Sequence, residues 1–258
     1  SHYGIGGGLN PATCFRKGAD PAEEFQKAVA ILKRFRLVTC NSKILWEILA
    51  PYLLPNLVLA QNGVDADFFT PDRYGSAHPA FARSGRLQQW DFYWTGKAKA
   101  AKNYLRLLRA RKYLENIPGP EGDANRPIFR FRIDLVFKDG RNALSRQMIL
   151  DSYQEHEFYI CLSFHEGTPN PALEAAACGL PIITTPVGNM PELVREGDTG
   201  WFIEPTAESL IATVERLQHL EPWKYREMSH AIRAEVEQNW SWAKRAEPYR
   251  KALEAVCG

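Results

Sequence analysis

Residues 161–185 read CLSFHEGTPNPALEAAACGLPIITT, and the fold is predicted outward from this stretch. It begins at the end of the apolar run 158–162, continues through a loop with one glycine and two prolines, and becomes rich in alanine before Gly179. A short apolar run favours a buried strand, whereas alanine is the strongest helix former. The stretch therefore predicts a strand, a loop and the start of a helix.

Two carboxylates lie in this stretch, Glu166 in the loop and Glu174 about one turn into the predicted helix. The amides around 168–172 fall at the helix N-terminus, where unpaired N–H groups and the helix dipole attract anions. Such a position suits a phosphorylated or polyhydroxylated ligand. The residues alone leave a second interpretation open, in which both glutamates only stabilise the helix dipole.

The same alternation of strand and helix continues on both sides. Strands are predicted at 35–40, 57–60, 91–95, 128–137, 158–162, 182–185 and 200–203. Helices are predicted between them, including 42–49, 99–115 and 144–154, and another follows the last strand at 207–220. This alternation predicts an α/β protein with a doubly wound parallel sheet. In the helix at 99–115 we expect an inward face formed by Tyr104, Leu105, Leu108 and Lys112.

The composition is that of a globular protein, with 45% hydrophobic and 24% charged residues and a net charge of +2. Charges between Arg83 and Lys112 are positive except for Asp91, but no nucleic-acid-binding motif accompanies them, so we expect no nucleic acid partner. The five cysteines lack paired metal-ligand spacing, which predicts reduced thiols, no metal site and a cytoplasmic location. No apolar run is long enough to span a bilayer, and peripheral membrane contact stays open.

Two lysines follow the predicted strand 91–95, at the edge of a parallel sheet where ligands bind. Gly96 ends the strand, and Lys97 and Lys102 flank the start of the next helix. Because the lysine ammonium is a point charge suited to phosphate oxygens, these positions fit a diphosphate. The alternative is a basic helix face that is merely solvated.

Five segments together resemble one enzyme family. EGTPNPALEAAACGLPIITTPVGNMPELV at 166–194 resembles the donor-binding signature of retaining glycosyltransferases of family 4, which have the two-domain GT-B fold. The other four segments are VTCNSKILWEIL at 38–49, AQNGVDADFFTP at 60–71, TGKAKAAKN at 95–103 and NWSWAKRAEPYR at 239–250. The resemblance implies a doubly wound, Rossmann-like C-terminal sheet domain and an incomplete N-terminal Rossmann-like domain.

The implied domain boundaries follow from these segments. Residues 1–85 would form a partial N-terminal, acceptor-side domain with a linker that begins at residue 64. Residues 86–235 would form the nucleotide-sugar-binding domain, and 236–258 a helix that returns to the first domain.

The resemblance also implies roles for single residues. Gly96, Lys97 and Lys102 would hold the donor diphosphate, and Glu174 would bind the ribose. The transferred sugar would contact Glu166 and the loop formed by Gly167, Thr168, Pro169 and Asn170. Glu166, Lys97 and Lys102 would then act in catalysis. Lys97 stands where many family members have arginine, which weakens bidentate contact but keeps the charge.

The implied reaction is transfer of a hexose from a UDP or GDP sugar to an acceptor hydroxyl, with retention of configuration and without a tightly bound metal. The acceptor is a sugar, a lipid or another small molecule. Only about sixty residues precede the implied crossing between domains, so an alternative is a noncatalytic nucleotide-sugar-binding subunit or fragment that needs a second chain for activity. A glycoside hydrolase fits less well, because it would leave the two lysines without a purpose.

Overall fold

A computed structural model describes residues 20–71, 90–117, 129–135 and 144–257. The predicted linker is therefore described only up to residue 71, and the boundary at 85/86 lies outside the described residues, as do the ends of the strand predicted at 128–137. The division into domains stays a prediction.

The first unit contains two helices and two strands: α1 (Pro21–Leu32), β1 (Val38–Cys40), α2 (Lys43–Leu53) and β2 (Leu57–Leu59). Asp20 caps α1 by accepting a hydrogen bond from the Ala22 amide, and Ser42 caps α2 in the same way through Leu45. β1 and β2 pair in parallel. Their carboxyl ends therefore lie at one edge of this small sheet, where Asn41 and Gln61 follow.

The second unit is a five-stranded parallel sheet with helices on both faces. Its elements are β3 (Trp90–Gly96), α3 (Tyr104–Leu114), β4 (Phe129–Leu135), α4 (Arg146–Gln154), β5 (Phe158–Cys161), α5 (Asn170–Ala177), β6 (Ile182–Thr184), α6 (Met190–Leu193), β7 (Gly200–Phe202), α7 (Ala207–Leu217) and α8 (Pro222–Glu235). The strand order is β4-β3-β5-β6-β7. The predicted α/β class and doubly wound parallel sheet are confirmed.

Successive residues of the central strands supply the cores on the two faces of this sheet, because side chains alternate along a strand. Tyr93 and Tyr159 belong to the core that contains α4 and α5. Phe92 and Phe158 belong to the core that contains α3 and α7. The central strands are therefore buried on both faces, as expected for a parallel sheet.

The prediction of one continuous helix at 99–115 is wrong. A 3-10 turn at Ala100–Lys102 is separated from α3 by Asn103, whose φ is 55°. The side chain of Asn103 donates a hydrogen bond to the Pro205 carbonyl at 2.8 Å, which holds this left-handed residue in place.

The expected inward face of this helix is wrong for Leu105 and Lys112, which are exposed, whereas Tyr104 packs partly buried against the core as expected. Leu107, Ala110 and Leu114 are fully buried, whereas Leu105 is 79% exposed. These three buried residues follow helical spacing. The break at Asn103 sets the helix register, and a propensity argument does not detect it.

The strand predicted at 35–40 is shorter than expected. It begins at Val38, and Phe35 lies in the turn after α1 with 54% of its surface exposed. The amide of Phe35 donates to the Leu32 carbonyl at 3.1 Å, so this residue extends the helix end instead of the sheet.

The chain crosses between the two units twice. After β2, Val64 pairs with the end of the π-helical segment Val236–Trp240 and with the start of α9 (Trp242–Cys257). The Val64 amide donates to the Trp240 carbonyl at 2.9 Å, and the Trp242 amide donates to the Val64 carbonyl at 3.0 Å. α9 then lies against the first unit, where the Tyr249 hydroxyl donates to the Ala60 carbonyl.

Four of the five cysteines lie in the described part, and all four are free thiols: Cys40, Cys161, Cys178 and Cys257. No helix in the described ranges combines the length and the apolar character needed to cross a bilayer.

Candidate functional site

The candidate site lies at the carboxyl ends of β3 and β5. These two strands are neighbours in the sheet, although β4 comes between them in the chain. β3 connects to β4 on one side, and β5 continues to β6 on the other. This is the topological switch point of an open α/β sheet, where a crevice forms outside the strand ends.

Lys102 lies at the end of the 3-10 turn after β3, and its ammonium group forms an ion pair with Glu166 in the loop after β5. The backbone supports this contact, because the Phe164 amide donates to the Ala101 carbonyl at 2.8 Å. The Glu166 side chain is only 9% exposed, and the same oxygen accepts a hydrogen bond from the Ser163 hydroxyl at 2.6 Å. The fold thus brings together two predicted site residues that are 64 positions apart.

Lys97 is placed differently. It follows β3 directly and is exposed, and its side chain forms no hydrogen bond or ion pair within the described ranges. Gly96 is the last residue of β3, and a β-carbon there would lie 3.1 Å from the Trp94 ring. The two predicted lysines therefore share one strand end, but only Lys102 contacts the other predicted residues.

The loop between Glu166 and α5 packs against the first unit. A β-carbon on Gly167 would lie 2.5 Å from the Asn41 side-chain oxygen, so any other residue here would require the Asn41 side chain to move. The Thr168 hydroxyl donates to the Asn41 backbone carbonyl at 2.9 Å. The side-chain amide of Asn62 donates to the side-chain oxygen of Asn170 at 3.1 Å. The loop is therefore held at the cleft between the two units.

The loop also offers free donors. Within the described ranges, the backbone amides of Gly167 and Thr168 donate no hydrogen bond. Pro169 is buried and has no amide hydrogen, and Asn170 begins α5. Two adjacent unpaired amides at a helix start can bind an anionic or hydroxylated group.

Glu174 lies one turn into α5 and is partly buried. Its Oε2 atom accepts a hydrogen bond from the Tyr153 hydroxyl at 2.9 Å. Burial raises the pKa of the Glu174 carboxyl above its ordinary value, and the Tyr153 hydrogen bond and the positive charge of Arg146 oppose that rise. The second carboxylate oxygen has no partner in the described part, so it is free to accept from a ligand.

A polar contact joins the first unit to the second at the other end of the cleft. The Gln61 side chain donates to Glu192 at 2.9 Å and accepts from Arg245 of α9 at 2.8 Å. Gly188, with a φ of 56°, supports the same region, because a β-carbon there would lie 2.2 Å from the Gly167 carbonyl oxygen. The loop that contains Gly167 is thus packed closely against the segment that contains Gly188.

Sequence reasoning missed three residues of this site. Asn41 falls between the predicted strand 35–40 and the predicted helix 42–49, and its place directly after β1 could have marked it as a strand-end residue. Ser163 and Tyr153 gave no signal, because a serine after a strand and a tyrosine on a helix are common in structural roles. Among the described residues, no group of three or more His, Cys, Asp or Glu side chains is arranged to hold a metal ion.

Known proteins are similar to parts of this chain in sequence and in fold. Residues 137–219 match the family model of glycosyl transferases group 1. D-inositol 3-phosphate glycosyltransferase of Mycolicibacterium smegmatis is 28% identical over 153 residues, which cover 55% of this chain and 35% of that protein. O-antigen chain mannosyltransferase B of Escherichia coli is 32% identical over 90 residues, or 35% of this chain and 23% of that protein. The match thus spans about a third or less of these relatives.

Solved structures extend the similarity across both units. Sucrose-phosphate synthase of Thermosynechococcus elongatus superposes with a TM-score of 0.69 at 18% identity and covers 93% of this chain and 63% of that one. HepE of Anabaena, in complex with UDP and glucose, gives a TM-score of 0.69 at 16% identity over 90% of this chain and 67% of its own. The fold is therefore the GT-B type, as predicted.

Proposed function

We propose that this chain carries the donor site of a glycosyltransferase that moves a hexose from a nucleoside diphosphate sugar to an acceptor hydroxyl with retention of configuration. One observation carries the proposal: Lys102 pairs with Glu166 at the carboxyl ends of β3 and β5, Glu174 lies in the helix that follows, and Asn41 of the first unit contacts the loop between the two glutamates. The group 1 family model and the binding of UDP and glucose by HepE support the same reaction class.

Within this proposal, the diphosphate lies beside Lys97 and Lys102. Lys102 is paired with Glu166 here, so the arriving phosphate takes its place as the partner of the ammonium group. Glu166 is then released toward the transferred sugar, next to the free amides of Gly167 and Thr168.

Leaving-group stabilisation is the main chemical role of the site. Negative charge develops on the departing diphosphate, and two lysines with the loop amides meet that charge in a partly enclosed crevice. These residues supply the electrostatic role that a tightly bound cation would otherwise perform. Retention of configuration and the absence of a required metal come from the resemblance to family 4, and are part of the proposal on that basis.

The acceptor binds on the side of the first unit, near Asn41 and Asn62. A sugar, a lipid and another small molecule are all compatible acceptors. The proposal is also compatible with peripheral membrane contact and with a second chain that completes the acceptor side.

Thermal stabilisation by a panel of UDP and GDP sugars tests the donor site. We expect at least one of them to raise the melting temperature, because a ligand that binds only the folded state stabilises it by about 2.7 kcal/mol at one hundred times its dissociation constant. Glu174→Ala and Lys102→Met should remove most of this response. Glu227→Ala is the matched control, since Glu227 is an exposed residue of α8 that forms a surface ion pair with Lys224.

Three results would contradict the assignment: no response to any donor, an unchanged response in Glu174→Ala, or an equal loss in Glu227→Ala. Turnover separates the enzyme from the alternative of a binding subunit. Donor binding without transfer or donor hydrolysis by this chain would identify the noncatalytic subunit, and addition of the missing chain should then restore transfer.

A further inference from the structure

Tyr153 of α4 lies directly beneath Glu174 and is completely buried. Its hydroxyl donates a hydrogen bond to the Oε2 atom of Glu174 at 2.9 Å. Glu174 itself is only partly buried, so this bond joins the core of the protein to a side chain that reaches the solvent.

Three aromatic rings hold the tyrosine in place. The ring of Tyr153 packs edge-on against Tyr93 at 5.4 Å and against Phe69 and Tyr159 at 6.0 Å, measured between ring centroids. The two neighbouring tyrosines use their hydroxyls elsewhere, since Tyr93 donates to Asp134 and Tyr159 to the Thr95 carbonyl. Of the three tyrosines in this cluster, Tyr153 is therefore the one whose hydroxyl donates to Glu174.

This contact suits the task of binding a ribose. A carboxylate has two oxygens and about four acceptor positions, so one bond at Oε2 leaves Oε1 and part of Oε2 free for two vicinal hydroxyls. A free glutamate side chain loses considerable rotamer freedom when it is immobilised. Because Tyr153 already fixes the carboxylate in the empty protein, less of this cost remains when the ligand binds.

We propose that Tyr153 is a positioning residue that aims Glu174 at the two ribose hydroxyls and thereby determines the preference of the site for ribonucleotides. This inference rests on the proposed function, because it assumes that Glu174 contacts the donor ribose. Tyr153 itself touches no ligand, since no part of it reaches the surface.

The alternative is a core tyrosine whose hydroxyl happened to find an acceptor. Loss of that hydroxyl would then change stability, but it would change the affinity for ribose and for dideoxyribose nucleotides equally. A positioning role makes a different prediction, because only ligands that carry the two hydroxyls depend on the direction of Glu174.

The test uses Tyr153→Phe with Tyr93→Phe as its matched control. Both residues are buried tyrosines of one aromatic cluster, but the Tyr93 hydroxyl donates to Asp134 and not to Glu174. Dissociation constants for UDP, GDP and their 2′,3′-dideoxy forms are measured by calorimetry for each variant. We expect Tyr153→Phe to weaken binding of the preferred ribonucleotide by about three- to tenfold, the usual net effect of one lost hydrogen bond.

The affinity for the dideoxy form should stay within about twofold in Tyr153→Phe, and Tyr93→Phe should leave both ligands within the same limit. In a Glu174→Gln background the ribose preference should already be reduced, and adding Tyr153→Phe should change it no further, because the two residues act as one unit.

The outcomes separate this inference from the proposed function. If the natural chain binds UDP or GDP and Tyr153→Phe weakens the ribose and dideoxy forms equally, or neither, the positioning role is overturned while the donor site stands. A Tyr153→Phe chain that does not fold also counts against it, since positioning requires an intact scaffold. If the natural chain binds no nucleotide, the proposed function and this inference both fail.

Discussion

The two glutamates of the site, Glu166 and Glu174, differ in the groups that surround their carboxylates. Glu166 is nearly buried but is matched by Lys102, so its negative charge is compensated in the empty protein. Glu174 receives a neutral hydroxyl from Tyr153 instead, and burial raises the pKa of its carboxyl. Carboxyl groups with a perturbed pKa are common at functional sites.

Neutralisation of the Glu174 carboxyl is expected to stabilise the folded protein, by an amount that depends on pH. Its pKa is raised above the ordinary value of 4.5, so the folded state binds this proton more tightly than the unfolded state does. Stability therefore falls as pH rises from about 4.5 through the folded pKa, and the full penalty is present above it. Glu174→Gln has no such penalty, and its side-chain oxygen can still accept from Tyr153.

We expect Glu174→Gln to melt at a higher temperature than the natural chain at pH 7, and we expect the difference to shrink as the pH falls below 4.5, where the Glu174 carboxyl becomes protonated in both the folded and the unfolded protein. Thermal melts across this pH range measure the effect. A variant less stable than the natural chain at pH 7 would show that Arg146 and Tyr153 already compensate the charge.

Among the elements, α8 has an organising role that its charged sequence does not reveal. The guanidinium group of Arg233 donates to three carbonyls, those of Ala66 at 3.0 Å, Phe69 at 2.7 Å and Ala177 at 2.6 Å. Ala66 and Phe69 belong to the crossing segment after β2, and Ala177 ends α5. One side chain of α8 thus joins the crossing to the helix that carries Glu174.

Arg233→Met should therefore destabilise the protein strongly. The change leaves three carbonyls without their donor. A hydrogen bond to a charged group contributes about 1.5–3 kcal/mol, and water or other donors replace part of this contribution in the variant. We expect the free energy of unfolding to fall by about 2–4 kcal/mol in urea titration.

Arg216→Met serves as the control, because Arg216 is an exposed residue in the last turn of α7. Its effect should stay within about 0.5 kcal/mol. Equal effects of the two variants would show that the carbonyl contacts contribute little.

At the scale of the whole molecule, the site depends on how the two units meet. The crossing segment and α9 join backbone to backbone at Val64, and the polar contacts of Gln61 and Asn62 lie directly before that junction. Gly63 makes the approach possible, because a β-carbon there would lie 2.8 Å from the backbone of Trp242. The distance between the donor loop and the first unit therefore depends on this junction.

Gly63→Ala should open the junction and lower the free energy of unfolding by about 1–3 kcal/mol, the usual cost of overpacking a tight contact. Urea titration measures it. Gly197→Asn is the control, since a β-carbon at Gly197 meets no atom within 4 Å and asparagine tolerates its φ of 73°. Unchanged stability in Gly63→Ala would mean that the two units separate without loss.

The sequence by itself determined the α/β class, the order of the elements and the strand-end positions of Lys97, Lys102 and Glu166. These properties follow from local patterns, since apolar runs, caps and helix formers act within a few residues of one another. Ser42 shows this clearly, because it caps the helix that the sequence predicted at 42–49.

Only the tertiary structure decided which of these residues meet. The Lys102–Glu166 pair, the Tyr153–Glu174 bond and the packing of Asn41 on Gly167 all join distant parts of the chain. The break of the predicted helix at Asn103 likewise depends on the Pro205 carbonyl, about a hundred residues away. Such contacts depend on strand order and on the crossing between units, and neither leaves a signal in local sequence.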